Sequence, residues 1–208
     1  APISQLMSAP SVLVVNPGFP PKSLQELIAL AKKNPGKYAF ASTGSGGSPH
    51  LAGEMLKMRA GIDLIHVPYK GAAPAQADLI GGQVQMAFET ALSVVPHIKS
   101  GQLRAIAVAA NKRLAQLPDV PTMAEAGLPD FEVSSWNGLF APAKTPPEII
   151  ARVREAAVKA LAAPDVREKL TAQGAEAIGS TPEQFRAYIQ AEIDKWGPVA
   201  RASGARVD

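Results

Sequence analysis

The sequence predicts an α/β protein, and three observations carry that reading. Short β-branched apolar runs alternate with longer amphipathic stretches along most of the chain. The runs are apolar at successive positions, as strands are in a mostly parallel sheet with helices on both faces. The amphipathic stretches carry their own start and stop signals.

Taken in order, residues 11–16 (SVLVVN) form the first strand. Ser23 precedes Leu24, Leu27, Ile28 and Leu30, a helical stripe over 23–33 that Asn34-Pro35-Gly36 ends. A strand over 37–42 (KYAFAS) leads to a helix over 49–60, where Ser48 can accept from free amides and Pro49 at the first helical position loses no hydrogen bond. Strand 62–68 (IDLIHVP), helix 74–80, strand 84–89 (VQMAFE), helix 92–100 and strand 103–109 (LRAIAVA) follow. A proline-studded connection runs through Leu117-Pro118-Asp119-Val120-Pro121, a short helix over 122–126 and Gly127-Leu128-Pro129-Asp130. Beyond it lie one strand, 135–141 (SWNGLFA), and helices over 147–162, 164–173 and 182–203. The organisation is therefore a complete ligand-binding lobe over 11–110 and an interlobe connection over 111–134. Residues 135–208 are then the C-terminal part of an incomplete second lobe, whose last helix can pack back on the first. Three helices on one strand make no balanced layer, because a single strand offers no sheet to cover. The first residues are a second possible crossing point between the lobes.

A chain of 208 residues hides roughly 70% of its unfolded surface on folding, so it needs no staples. The absence of cysteine excludes a disulfide framework, a cysteine metal site and a thiol nucleophile, without assigning a compartment. The formal charge is +3, with no basic run longer than Lys32-Lys33 or Lys112-Arg113, too weak for a nucleic-acid footprint. No apolar stretch is long enough to span a membrane, and the first residues do not read as a signal peptide. A mature exported protein would look the same.

The strongest local feature is the loop Ser42, Thr43, Gly44, Ser45, Gly46, Gly47, Ser48, Pro49, His50, between a strand and a helix. Ligands of α/β sheets sit at such places. The helix start offers free N–H groups and a partial positive charge, and the glycines let a carboxylate or phosphate approach the backbone. The spacing fits neither a dinucleotide fingerprint, nor a P-loop, nor a nucleophile elbow. The plain alternative is a flexible turn with a good cap. Tyr69 and Lys70 end the next strand in HVPYKG; either they shape the same crevice, or Tyr69 packs beneath the loop and Lys70 is solvated. Glu89 and Thr90 end another strand on that edge, where Glu89 binds a ligand donor, caps the next helix or lies exposed. Trp136 closes the crevice from the far side or is ordinary core. His50, His66 and His97 show no metal spacing and no cluster with carboxylates. No acid/base pair or triad is legible and no cofactor is called for. Catalysis thus has no visible carrier.

The runs VLVVNP, ELIALAKKNPGKYAFASTGSGGSPHLAGEML, HVPYKGAAPAQADLIGGQVQMAFE, LRAIAVAANKR, LPDVPT-x-AEAGLP, GLFAPAKTP and PEQFRAYIQAEIDKWGPVARASG resemble, in order, the Bug (TctC-type) solute-binding proteins of tripartite tricarboxylate transporters. The resemblance implies a periplasmic-binding-protein type II-like fold, with two α/β lobes joined by crossing strands and closing on a small carboxylate. It implies a periplasmic location and delivery of the ligand to a cognate membrane permease. By that resemblance the 42–50 loop matches the carboxylate-binding turn, with Thr43, Ser45, Gly47 and Ser48 foremost. Glu89 stands where Asp or Asn is common, one methylene longer, and Trp136 matches an aromatic position at the lobe junction. The chain resembles the last two-thirds of the family and lacks roughly the first 100 residues, part of the first lobe. The strand at 135–141 is then expected to expose unpaired edges. Two rivals stand beside this reading. One is an α/β enzyme acting on a carboxylated or phosphorylated metabolite, with Glu89 or His50 as base; the other is the effector domain of a regulator, for which no helix-turn-helix is present.

Overall fold

The computed structural model describes residues 1–204. It opens with a single long strand, β1 (Pro2–Val15), which threads two layers. There follow α1 (Leu24–Lys33), β2 (Ala39–Ser42), α2 (Ser48–Ala60), β3 (Ile65–Pro68), α3 (Ala72–Ile80), β4 (Met86–Thr90), α4 (Ala91–Lys99) and β5 (Arg104–Val108). After the connection come β6 (Ser134–Phe140), α5 (Pro147–Ala162), α6 (Pro164–Ala172), β7 (Glu176–Ala177) and α7 (Pro182–Ser203).

The second half of β1 lies inside a five-stranded sheet of order β3-β2-β4-β1-β5. β2 pairs parallel with β3 and β4, whereas β1 is antiparallel to both β4 and β5, so β2, β3, β4 and β5 share one direction and β1 alone makes the mostly parallel sheet mixed. The reason is the point of entry. Ser11 pairs with Thr90 and Val12 with Val108, so β1 enters at the edge where the parallel strands end and must run against them. One face packs Phe40, Met86, Phe88, Leu13 and Val15 against α1 and α2. The other packs Ala41, Ala87, Val12 and Val14 against α3 and α4.

Local signals set the helix ends. Ser23 caps α1 by accepting from the Glu26 N–H at 3.2 Å, an arrangement worth about 1 kcal/mol. Thr181 and Gln184 form a reciprocal capping box at α7. α2 differs from the expectation: Gly47 is its cap residue and Ser48 is already helical, with no side-chain cap. The short helix expected over 122–126 is a turn, closed by Thr122 and Glu125 bonding each other and pinned to β5 through Met123 N–H to Val108 O at 2.8 Å.

The strand at 135–141 is not alone. β6 pairs antiparallel with β1 from Pro2 to Pro10, and β7 takes the other edge of β1 at Met7 and Ser8. Its would-be partner was hidden in the sequence because SQLMSAP (4–10) does not read as a strand. The lateral support is nevertheless thin. Neither α5 nor α6 has a buried residue, and Phe140, Ile149 and Val153 stand exposed. α7 starts against β6 through Phe185 and ends against α2, where Val199 and Trp196 join the core beneath β2 and β4.

Candidate functional site

The C-terminal ends of β2, β3, β4 and β5 share one edge of the sheet, at which β1 crosses. The crossing is tied by Ser11 N–H to Val133 O, Val133 N–H to Ala109 O and Ala109 N–H to Ser11 O, at 2.8, 2.9 and 2.8 Å. The strand-to-helix turns therefore open toward the junction with the β1–β6–β7 layer, as in other open α/β sheets that bind ligands beyond their carboxyl ends.

The 42–50 turn is built from the inside. The Ser42 hydroxyl is fully buried and spent within the turn: it donates to Gly44 O at 3.0 Å, accepts from Gly44 N–H at 3.3 Å and meets His66 Nε2 at 2.6 Å. His50 is also turned inward, with Nδ1 accepting from Gly46 N–H at 3.0 Å. Gly44 (φ 142°) and Gly46 (φ 79°) hold backbone conformations that a side chain disfavours. What remains toward the edge are Thr43, Ser45, Gly47, Ser48 and the uncapped first amides of α2; Ser45 is exposed and the others are half-buried. Thr43 Oγ1 lies close over Gly47. Such a turn can take a carboxylate on hydroxyls and N–H groups.

Contrary to the expectation from their spacing, two of the histidines cluster with each other and with a carboxylate. His50 and His66 stack with ring centroids 3.8 Å apart, and His50 Nε2 stands 3.9 Å from Glu54 Oε1 one helical turn on. Burial lowers both rings below the ordinary 6.5, His66 to about 4, with His50 and Lys57 adding to the effect on His66. Nothing beside His66 in the sequence marks it as a site residue, because its partners Ser42 and His50 are 24 and 16 residues away and meet it only through the β2–β3 pairing. Among the described residues no group of three His, Cys, Asp or Glu could hold a metal ion.

Tyr69 and Glu89 form the α3–α4 side of the same edge. Tyr69 N–H donates to Ser42 O at 2.9 Å, joining the two turns, while its hydroxyl donates to Asp78 Oδ2 at 2.7 Å. Burial and that carboxylate raise the Tyr69 hydroxyl to about 12. Lys70 is exposed. Glu89 is buried, with Oε2 accepting from Ser93 Oγ at 3.2 Å and Gln76 Nε2 at 3.4 Å; Thr90 Oγ1 meets the same Ser93 hydroxyl at 3.2 Å. It neither caps α4 nor lies exposed. Desolvation raises its carboxyl above the usual range, opposed by the Ser93 and Gln76 bonds. A raised carboxyl contributes stability below its unfolded value of 4.5 and loses it as pH rises through the folded value. Glu89→Gln is therefore expected to melt higher than the parent at neutral pH, with the gap closing toward pH 4.5; thermal melts of both proteins across that range check it, and parallel curves would refute it.

Trp136 does not join these turns through any of its ring contacts. Its indole meets Phe185 and Tyr188 of α7 edge-on, at 5.6 and 5.7 Å. A cleft of about 990 Å³ runs from Pro10, Ala110 and Ser134 beside the crossing into the space between the 110–116 segment, β7 and α7, where Arg113, Glu176 and Lys195 line it. It contains none of the strand-end residues described above. Its cations and carboxylates are mixed, so it offers no field of one sign to an anion, whereas the α2 start does.

The chain matches the model of the tripartite tricarboxylate transporter family receptor over residues 1–205. Protein BugT of Bordetella pertussis is 41% identical over 206 residues, which is 99% of this chain and 63% of BugT. The chain thus spans about three fifths of the length of this curated relative. Among solved structures, one described as a periplasmic transporter is 41% identical with a TM-score of 0.91 over 100% of this chain and 69% of its own. The Rpa4515 protein of R. palustris with adipate is 32% identical, TM-score 0.90, over 98% and 68%. MatC of Rhodopseudomonas palustris with bound malate is 34% identical, TM-score 0.88, over 95% and 68%.

Proposed function

The chain belongs to the tripartite tricarboxylate transporter receptor family, and from that premise we propose that it serves an extracytoplasmic, periplasmic receptor that captures a small carboxylate and hands it to a cognate membrane permease. The observation that carries the reading is the start of α2. It opens on Gly47 without a side-chain cap, behind a turn of glycines and hydroxyls, at the sheet edge where β1 crosses. N–H groups left free there suit an anion, and relatives of the same fold hold malate and adipate. Thr43, Ser45, Gly47 and Ser48 are the proposed contacts of the carboxylate, through their hydroxyls and those backbone N–H groups that, unlike Gly44 and Gly46, are not bonded within the turn. Tyr69, Glu89 and Thr90 form the wall that sets ligand size and polarity, and Trp136 supports the opposite layer. Binding without chemistry needs no acid/base pair, and closure of the two layers would remove water from the bound group.

Titration calorimetry of the protein with malate and adipate tests this. The pair Thr43→Ala and Ser48→Ala is expected to weaken binding by about tenfold or more, the worth of one charge-assisted hydrogen bond. Unchanged affinity would remove the turn from the site. Recovery of a chemically altered acid after incubation would favour the enzyme reading instead.

A further inference from the structure

Two imidazoles, His50 buried and His66 half-buried, lie face to face beneath the turn that the proposed carboxylate touches. Their planes are 12° apart, and Phe40 extends the stack at 5.0 Å from His66. Their hydrogen bonds define their protons. His50 Nδ1 accepts from Gly46 N–H, so that nitrogen is bare and the proton of the neutral ring sits on Nε2, toward Glu54. Ser42 Oγ has one proton; with it directed to Gly44 O, the 2.6 Å contact requires the imidazole proton on His66 Nε2. Ser42 thereby ties Gly44, His50 ties Gly46, and the ring stack ties the two anchors together.

We infer that Ser42, His50 and His66 are positioning residues: in the uncharged state of both rings they hold residues 43–47 in the form that receives a carboxylate, and acid releases the turn. Protonation of His50 would place an N–H on Nδ1 against the Gly46 N–H, donor against donor, and that anchor would be lost. Protonation of His66 would bring a charge into a stack 3.8 Å from the other ring, where two cations repel. The charged groups facing the pair are Glu54 and Lys57, both on α2; β2 contributes Phe40 and Ser42, which carry no charge. Glu54 favours the cation on His50 and Lys57 opposes it on both rings, while burial opposes it most. The sign follows. With both folded values below 6.5, the neutral pair is fully stabilising above 6.5 and its contribution falls as pH drops toward about 4. The effect on ligand rests on the carboxylate reading; the lock on the turn does not.

The experiment is NMR of the ¹⁵N-labelled protein between about pH 8 and pH 4, following the imidazole nitrogens and the Gly44 and Gly46 amides, without ligand. The expected result at neutral pH is an Nε2–H tautomer at both histidines and a protected Gly46 amide. On acidification the intrinsic, pH-corrected protection of that amide should fall by about tenfold or more, in step with the titration of His50. His50→Asn keeps an acceptor where Nδ1 stood and cannot titrate, so it should keep the protection across the range. His50→Phe keeps a ring and loses the acceptor, so it should lack protection at every pH; if it does not fold, the contrast between the parent and His50→Asn decides. A Gly46 amide indifferent to acid in the parent, or protection in His50→Phe equal to the parent's, would overturn the inference. Malate and adipate are then titrated into the same samples. Affinity that falls with the Gly46 protection in the parent but not in His50→Asn, which corrects for titration of the acids themselves, extends the lock to the ligand. Equal affinity in His50→Phe and the parent overturns the inference and leaves the carboxylate site in place. Failure of both acids to bind at any pH, with the protection behaving as stated, counts against the proposed function and leaves the lock standing.

Discussion

Phe40→Ala is expected to cost about 3–5 kcal/mol of folding stability, the range for truncating a fully buried phenylalanine. Phe40 is 1% exposed on β2, and three neighbours are shaped around its ring. Gly53 on α2 exists to admit it, since a Cβ there would come within 2.1 Å of Phe40 Cε2. His66 and His50 stack at 5.0 and 6.4 Å from it. Truncation thus leaves a cavity under α2 and takes one plate from the histidine stack. Urea denaturation measures the first effect, and a change in the imidazole titrations measures the second. Phe40→Leu should recover part of the stability without recovering the stack. An alanine variant within about 1 kcal/mol of the parent would show that α2 collapses onto the space.

A loss of about 3–5 kcal/mol is also expected of Phe185→Ala, in the other layer. Phe185 is fully buried on α7, and its Cζ would meet a Cβ on Gly138 at 2.1 Å. Trp136 meets it edge-on at 5.6 Å and Phe140 at 5.0 Å. Because α5 and α6 contain no buried residue, this ring is the principal apolar anchor of β6, and little else compensates its loss. In a Trp196→Phe background, where Trp136 is the remaining indole, the variant should show red-shifted emission and an earlier denaturation midpoint. Unchanged emission with an unchanged midpoint would mean that β6 is held by its pairing with β1 alone.

Much of this architecture was legible because it is local. Ser23 caps where a hydroxyl before an apolar stripe should cap, and α5 and α7 span 147–162 and 182–203, the ranges expected. Asn34-Pro35-Gly36 and Gly61 end their helices for reasons carried by each residue alone. The 42–50 turn stood out in the same way, as glycines and hydroxyls between a strand and a helix.

What escaped was non-local. SQLMSAP lacks a strand's apolar pattern, and only pairing with β6 and β7 on either side makes it one. The 122–126 segment has helical composition, yet its pinning to β5 wins over a single turn of helix. Ser48 has the chemistry of a cap, whereas the helix starts one residue earlier and leaves its first amides without one.

By itself, then, the sequence determined the α/β class, most element boundaries, the family resemblance and the anion-suited turn, since propensity, capping and periodicity act within a few residues. Tertiary structure alone decided the direction of β1, the inward commitment of Ser42 and His50, the burial of Glu89 and the pairing of His50 with His66. Those depend on which side chains meet across the sheet, and a hydrogen bond or a stacked ring has no signature in either partner's own neighbourhood.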